Sequence, residues 1–185
     1  MQADNPWRKV RCNRSRCYLK PLEFLDTSLL YDNPKGKEEE KMTLEMINTL
    51  IGKQVVFIRA AGNSLIIYLE SMPSEEKGFS IWLEPTWHLH DNKKVLLGSR
   101  QLQTDDNEEL NEITRLLEDL YSKEVKEIEI NRITNDITIK IEQYELKTFV
   151  ADANDEYIWQ LRDRKKKTIL EANPNKIFTK GVSGN

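Results

Sequence analysis

The chain has 185 residues, enough for one or two small domains. With 38% hydrophobic and 32% charged residues, the composition is typical of a polar globular protein rather than a disordered one. A formal net charge of −3 argues against a general attraction to nucleic acid or anionic membranes, and no apolar run reaches the roughly 18 residues of a spanning helix. The basic N-terminus lacks the apolar stretch of a secretory signal, so we expect a cytoplasmic protein.

Residues 1–41 differ in composition from the rest of the chain. They are rich in Arg, Lys, Asn and Pro, and we expect a loosely ordered basic segment. The Lys/Glu/Gly run over residues 35–41 would also result from translation of a purine-rich ribosome-binding site, which would make Met42 the natural start; a flexible basic arm is the alternative. Cys12 and Cys17 lie in this segment, without the second ligand pair of a zinc site.

Residues 42–100 contain the first predicted set of elements. Leu44, Ile47 and Leu50 recur on one face of a short helix that Gly52 ends. A hairpin around the Gly62-Asn63 turn follows, and then two further strands separated by Pro85. The predicted strands are residues 54–60, 65–69, 79–83 and 86–90.

Residues 101–173 repeat this order of elements. Asp105 and Glu108 resemble a capping box at the start of a helix that continues to about Tyr121. The predicted strands are residues 125–131, 137–141, 146–150 and 157–161. Residues 174–185 are expected to form a loose C-terminal tail.

The two sets also share sequence. Trp87-His88-Leu89-His90-Asp91-Asn92-Lys93-Lys94 recurs as Trp159-Gln160-Leu161-Arg162-Asp163-Arg164-Lys165-Lys166, at an offset of 72 (159 − 87). The stretch from Leu50 recurs from Leu120, at an offset of 70 (120 − 50). The pattern predicts an α+β fold of two tandem repeats related by a pseudo-twofold, each a short helix plus an antiparallel meander of about four strands. Because about 60 residues alone bury a marginal core, we expect the repeats to join into one body.

The tryptophans and one strand indicate which side chains lie in the core. Trp87 and Trp159 occupy matching positions and are expected in the core, whereas Trp82 points away from its buried neighbours and is a candidate for an exposed contact. The strand over residues 65–69, which includes Tyr68, is apolar on both faces. A central position in a joined sheet would explain this. Alternatively, its second face is covered by the segment before Met42, the helix near residues 107–121, a second copy of the chain or another protein.

His88 and His90 project from the same face of one strand, near Glu84. Such a pair can bind a metal, which would allow a metal-dependent enzyme with its site between the repeats. However, Trp87 and Leu89 fit the buried face, so the histidines are expected on the face towards water. A metal site is therefore not the preferred interpretation.

Two charged clusters are candidates for binding. Glu124, Glu127 and Glu129 make the middle of the chain acidic, as a solvated face or as a surface for a basic partner. Arg162, Arg164 and Lys165 begin a basic run that ends at residue 167 and that either contacts phosphates or forms a solvated turn.

The succession of hairpin, Trp87-His88-Leu89 strand, Gly98-Ser99, second hairpin and second Trp-x-Leu strand resembles small bacterial proteins of unknown function with a duplicated α+β unit, some of them similar to toxin-immunity proteins. The absence of a catalytic motif, the acidic middle of the chain and the apolar strand over residues 65–69 predict a non-enzymatic binding protein that docks a partner through an acidic surface, with no cofactor. The resemblance implies immunity-like inhibition of that partner. A nucleic-acid or nucleotide binder using residues 162–167 is the alternative, besides the metal enzyme. We expect a protein partner or a homodimer and disfavour nucleic acid and membranes. The candidate binding residues are Trp82, Tyr68, Glu124, Glu127, Glu129, Arg162, Arg164 and Lys165.

Overall fold

The fold is α+β, with two antiparallel sheets and two α-helices in the computed structural model, which describes residues 34–181. Helix α1 spans Pro34–Asn48 and α2 spans Asn107–Glu118, and a short 3-10 helix covers Ser99–Gln103. Neither described α-helix is long and apolar enough to cross a membrane. Cys12, Cys17 and the rest of the segment before Pro34 lie outside the described residues. Residues 34–41, expected to be loosely ordered, belong to α1.

Strands form on both sides of α2 in the sequence. Those before it are β1 (Val55–Ala61), β2 (Ser64–Leu69), β3 (Phe79–Leu83), β4 (Trp87–His90) and β5 (Val95–Gly98). Those after it are β6 (Val125–Ile130), β7 (Ile137–Ile141), β8 (Tyr144–Thr148), β9 (Trp159–Asp163), β10 (Thr168–Asn173) and β11 (Lys176–Gly181). β5 and β10 were not predicted from the sequence, and the residues of β11 were expected in a loose C-terminal tail.

Each sheet combines strands from both sides of α2. The six-stranded sheet has the order β1-β2-β3-β9-β10-β11, and the five-stranded sheet has the order β5-β4-β8-β7-β6. This differs from the predicted meander of four consecutive strands, because the chain crosses to the other sheet after its third strand in both parts. β3 pairs with β9 and β4 pairs with β8, all antiparallel.

The two sheets meet at one corner, where the segments preceding β1 and β6 pair. Gln54 and Glu124 form an isolated antiparallel bridge there. Four main-chain hydrogen bonds of 2.8–2.9 Å surround it, from Gly52 N–H to Val125, from Ser122 N–H to Val55, from Val55 N–H to Lys123 and from Val125 N–H to Lys53. Gly52 and Ser122 both adopt left-handed backbone conformations, with φ of 81° and 63°. The bonds form two reciprocal pairs at an offset of 70 (122 − 52).

One hydrophobic core includes residues of both sheets and of the segments that end the helices. Trp87 and Trp159 are fully buried, as predicted. The alternation of Ile137, Ile139 and Ile141 is also confirmed, since all three side chains are buried. Burial of such apolar area is the main favourable term in folding, at about 25 cal/mol per Å².

The helices differ from the sequence prediction in two details. Leu44 is 52% exposed, so only Ile47 and Leu50 of the predicted stripe lie in the core. The N-cap of α2 is Asp106 rather than Asp105, and its side chain accepts hydrogen bonds from the backbone N–H groups of Glu108 and Glu109. This carboxylate satisfies two free donors at the positive end of the helix dipole.

Candidate functional site

The six-stranded sheet is apolar on both faces near its β1 edge. Leu65, Ile67 and Leu69 of β2 point into the core, so Ile66 and Tyr68 point to the opposite, outer face. Phe57 of β1 lies directly opposite Tyr68, with ring centroids 6.0 Å apart, and Trp82 of β3 lies opposite Ile66. We call Phe57, Ile66, Tyr68 and Trp82 the outer apolar face.

The outer apolar face is not fully open. Ile66 is only 8% exposed, while the three aromatic side chains are half-buried. The ring of Tyr121, which follows α2, stacks on Phe57 with centroids 6.5 Å apart. Tyr121 therefore covers one edge of this face, beside β1. Trp82, expected to be exposed, is partly covered by its neighbours.

Trp82 carries a hydrogen-bond donor that is not used inside the described part of the protein. Its Nε1 atom is buried and donates to no acceptor there. The strand neighbours of Trp82 are Ile66 on β2 and Gln160 on β9. A buried N–H group without a partner costs about 1–3 kcal/mol, so this indole lowers the stability of the fold instead of contributing to it.

Cationic side chains surround the outer apolar face. Arg59 of β1 lies opposite Ile66 of β2, and Arg162 of β9 lies opposite Ser80 of β3. Both arginine side chains are exposed. No carboxylate among the residues that the structure describes forms an ion pair with either arginine. Further along the sheet, Lys180 lies 2.6 Å from the buried carboxylate of Glu171, a contact that raises the pKa of the lysine. The face therefore carries an excess of positive charge.

Arg164 packs beside Tyr68 and binds the loop between β2 and β3. Its guanidinium donates four hydrogen bonds of 2.7–2.9 Å, to the carbonyls of Ser71, Met72 and Glu75 and to the Ser71 hydroxyl. The guanidinium carbon lies 5.3 Å from the centre of the Tyr68 ring. Burial lowers the pKa of Arg164 from its usual value, yet a guanidinium remains charged in proteins. Arg164 thus anchors the β2–β3 loop beside Tyr68.

The rest of the basic run forms the turn between β9 and β10. Lys165 is exposed and faces solvent. The nearly buried side chain of Asp163 accepts a hydrogen bond from the Lys166 backbone N–H at 2.9 Å. Of the three basic candidates, the structure brings Arg162 next to the outer apolar face, while Arg164 is occupied by the loop carbonyls.

The acidic candidates lie on the five-stranded sheet and are paired with lysines. Glu124 lies 2.8 Å from Lys126, and Lys140 lies 2.6 Å from Glu127 and 3.6 Å from Glu129. The ammonium of Lys140 lowers the pKa of Glu127, and Glu127 in turn raises the pKa of Lys140. These pairs partly neutralise the surface that the sequence indicated as acidic.

The outer faces of the two sheets differ at matched positions. The strands β1, β2 and β3 occupy the same order from the joined corner as β6, β7 and β8. Where the six-stranded sheet has Phe57, Ile66, Tyr68 and Trp82, the five-stranded sheet has Glu127, Thr138, Lys140 and Lys147. The same strand arrangement therefore forms with charged side chains on its outer face.

The histidines lie on the outer face of β4, as predicted, while Trp87 and Leu89 are buried. The His88 ring packs on Phe149 with centroids 4.8 Å apart, and Glu84 accepts a hydrogen bond from Ser64. The described residues contain no group of three or more His, Cys, Asp or Glu side chains arranged to hold a metal ion. His90 borders a shallow depression of about 450 Å³ whose remaining charged residues are Asp91, Lys93, Lys94, Glu145 and Lys147.

No family model matches the chain, and neither does any curated protein or solved structure.

Several residues of the outer apolar face were not recognised from the sequence. Tyr68 and Trp82 were candidates, but Phe57 and Ile66 of this face, and Arg59 beside it, were not. The signal was available in the hairpin around Gly62-Asn63, because its register aligns Phe57 with Tyr68 and Arg59 with Ile66.

Proposed function

We propose that this protein is a non-enzymatic binding protein that uses the outer apolar face to dock an acidic protein surface with an apolar centre. The observation that carries this proposal is the contrast between Tyr68 and Lys140, and between Trp82 and Lys147, at matched strand positions. Since the five-stranded sheet forms with charged residues there, the fold does not require large apolar ones. Apolar patches rimmed by charge are typical of interaction sites.

The charges around the outer apolar face support an acidic partner. Arg59 and Arg162 lack carboxylate partners among the described residues, and Lys180 has one. A second copy docked face to face would bring these cations against their own equivalents, which is unfavourable. A different protein, with Asp or Glu around an apolar centre, avoids this repulsion. The resemblance to immunity-like proteins suggests a toxin domain as such a partner.

We further propose that the two parts of the chain arose by duplication. The four reciprocal hydrogen bonds at the corner, at an offset of 70 (122 − 52), support this. So do the two buried tryptophans at an offset of 72 (159 − 87). On this proposal the outer faces were once alike, and the one on the six-stranded sheet acquired apolar residues for a partner.

A display experiment tests the docking proposal without a known partner. The full chain would be immobilised and used to select from a library of random peptides on phage, followed by fluorescence-polarisation binding of the selected peptides. We expect the selected peptides to combine Asp or Glu with Leu, Ile or Phe. Trp82→Ala and Arg59→Glu should each weaken their binding at least about tenfold, which corresponds to roughly 1.4 kcal/mol.

Lys147→Ala is the matched control, because Lys147 holds the position of Trp82 on the other sheet. It should leave peptide binding unchanged, with circular dichroism verifying that all variants fold. Peptides that bind wild type and Trp82→Ala equally well would contradict the proposal. A labelled single-stranded RNA of random sequence is the second probe, since bases also stack on aromatic side chains. If this RNA binds more tightly than the selected peptides and its binding depends on Trp82, the partner is a nucleic acid and not a protein.

A further inference from the structure

The connection between β3 and β4 is only three residues long, Glu84-Pro85-Thr86. Antiparallel strands joined by three residues ordinarily form a hairpin with each other. Here β3 pairs with β9 and β4 pairs with β8, so the two strands lie in different sheets. The short connection therefore acts as a crossing between sheets.

β9 takes the position that β4 would occupy in such a hairpin. In the structure Leu83 lies opposite Trp159 and Ile81 lies opposite Leu161. A three-residue hairpin would put Leu83 opposite Trp87 and Ile81 opposite Leu89. Trp159 and Leu161 have the same residue types as Trp87 and Leu89, so β3 meets an equivalent strand in either arrangement. This is the relationship found between the closed and exchanged forms of a domain-swapped protein.

The chemistry of the connection favours the crossing. Three-residue hairpin loops usually need a residue in the left-handed region, a position suited to glycine. The ring of Pro85 restricts its φ to negative values and Thr86 is β-branched, so neither suits this position. Hydrogen bonds to the opposite part of the chain hold the crossing, since Glu84 N–H donates to Ile158 at 2.9 Å and Phe149 N–H donates to Thr86 at 2.9 Å.

We infer that the chain is a covalently joined, strand-exchanged dimer, and that a second copy of this chain can supply the exchanged strands. The inference rests on the duplication proposed above and not on the docking partner. Residues 99–106 connect the two parts, and a connection this short gives an effective concentration on the order of 1 mM for pairing within one chain. Exchange between chains should therefore become appreciable when the protein refolds near that concentration.

Two cysteine reporters test this inference in the full chain. Cys12 and Cys17 are first replaced by serine, and Ser80→Cys and Arg162→Cys are then introduced into separate chains. Ser80 and Arg162 are register partners on β3 and β9, at a Cα separation of about 4.5–5.5 Å that permits a disulfide. The two chains are unfolded together, refolded at about 1 mM or about 10 µM, and oxidised.

We expect a disulfide-linked dimer at the higher concentration and at least about tenfold less of it at the lower one. A chain that carries both cysteines should form the bond internally at both concentrations, which controls for geometry. A mixture of the two folded chains that is oxidised without unfolding gives the background level of linked dimer. If the chain with both cysteines oxidises but the refolded mixture never exceeds this background, the inference is overturned. Because no ligand takes part, a failure of peptide binding leaves this result unaffected.

A hinge variant tests the reason for the crossing. Pro85→Asn with Thr86→Gly introduces an Asn-Gly pair whose glycine occupies the left-handed third position of a three-residue hairpin loop. We expect β3 to pair with its own β4, so that Ser80→Cys is cross-linked to His90→Cys and no longer to Arg162→Cys. Persistence of the Ser80–Arg162 cross-link in this variant would contradict the role assigned to the hinge.

Discussion

Trp87 and Trp159 each join the two sheets by the same hydrogen bond. The indole Nε1 of Trp87 donates to the carbonyl of Asn63 at 2.8 Å, and that of Trp159 donates to the carbonyl of Asn135 at 2.7 Å, in both cases 24 residues earlier in the chain. Trp87 begins β4 in the five-stranded sheet, whereas Asn63 lies in the turn before β2 of the other sheet. Conversely, Trp159 begins β9 in the six-stranded sheet, and Asn135 lies in the turn before β7 of the five-stranded sheet.

Replacing either buried tryptophan by phenylalanine should destabilise the protein by similar amounts. Trp87→Phe and Trp159→Phe each leave a carbonyl without its donor and create a small cavity, and we expect a loss of about 2–4 kcal/mol in the free energy of unfolding. Urea denaturation followed by circular dichroism measures this loss. Trp82→Phe removes an indole N–H that has no acceptor among the described residues and should cost less than about 1 kcal/mol. Losses that differ by more than about 2 kcal/mol between the two buried positions would argue against their equivalence.

Substitutions of Arg162 and Arg164 in the basic run should have different effects, one on binding and the other on stability. Arg164→Ala removes four hydrogen bonds to the loop between β2 and β3, so we expect a loss of about 3 kcal/mol or more in unfolding free energy. Arg162→Ala changes an exposed residue and should alter stability by less than about 0.5 kcal/mol, while it weakens binding of the selected acidic peptides. Equal effects of the two substitutions on stability would contradict the anchoring role of Arg164.

Local periodicity in the sequence predicted the core-facing side chains of several strands. The alternation of Ile137, Ile139 and Ile141, and the pair Trp87 and Leu89, correctly identified the core face of each strand. Such predictions succeed because successive side chains of a strand point to opposite faces, whatever the partner strand.

Strand pairing could not be predicted in the same way. The partner of β3 is β9, and nothing local to Leu83 specifies a contact with Trp159, which lies in the other half of the chain. The short connection after Leu83 instead favoured a continuous meander. The contacts of Arg164 could not be predicted for a related reason, since its acceptors, such as the Ser71 carbonyl, lie far earlier in the chain.

The C-terminal strand was missed because its turn was read as the start of a tail. The side chain of Asn173 accepts hydrogen bonds from the backbone N–H groups of Asn175 and Lys176, which closes a hairpin between β10 and β11. Asparagine commonly forms turns of this kind, so the Asn-Pro-Asn sequence over residues 173–175 carried the signal.

Gly78 should tolerate substitution much less well than Gly62. Both have left-handed backbones, with φ of 76° and 60°. A Cβ atom at Gly78 would lie 2.6 Å from the carbonyl oxygen of Leu69 and 2.5 Å from the Ser71 hydroxyl, whereas one at Gly62 would meet nothing within 4 Å. We expect Gly62→Ala to cost about 1–2 kcal/mol from the backbone conformation alone and Gly78→Ala clearly more, as measured by thermal and urea unfolding. Equal losses of unfolding free energy in the two variants would mean that the β2–β3 loop can move to accommodate the Cβ atom, contrary to this prediction.

The stability of the protein should decrease as the pH falls below about 6.5, through His90. Burial lowers the pKa of His90 from its ordinary value of 6.5, reinforced by Lys147 and His88 and opposed by Glu145 and Asp91. The folded state therefore binds fewer protons at His90 than the unfolded state does in this range. Since stability rises with pH wherever the unfolded state binds more protons, it is lost as the pH falls from 6.5 through the lower pKa of folded His90.

His90→Gln isolates this contribution, because glutamine does not titrate. Unfolding free energies from urea denaturation between about pH 5.5 and 7.5 should depend less on pH in His90→Gln than in wild type. Glu145, whose pKa is lowered from 4.5 by Lys147, stays ionised across this range and does not contribute to the slope. His88→Gln keeps His90 and its buried Nε2, so it should keep a decline towards acid pH. An unchanged slope in His90→Gln would assign the decline to another group.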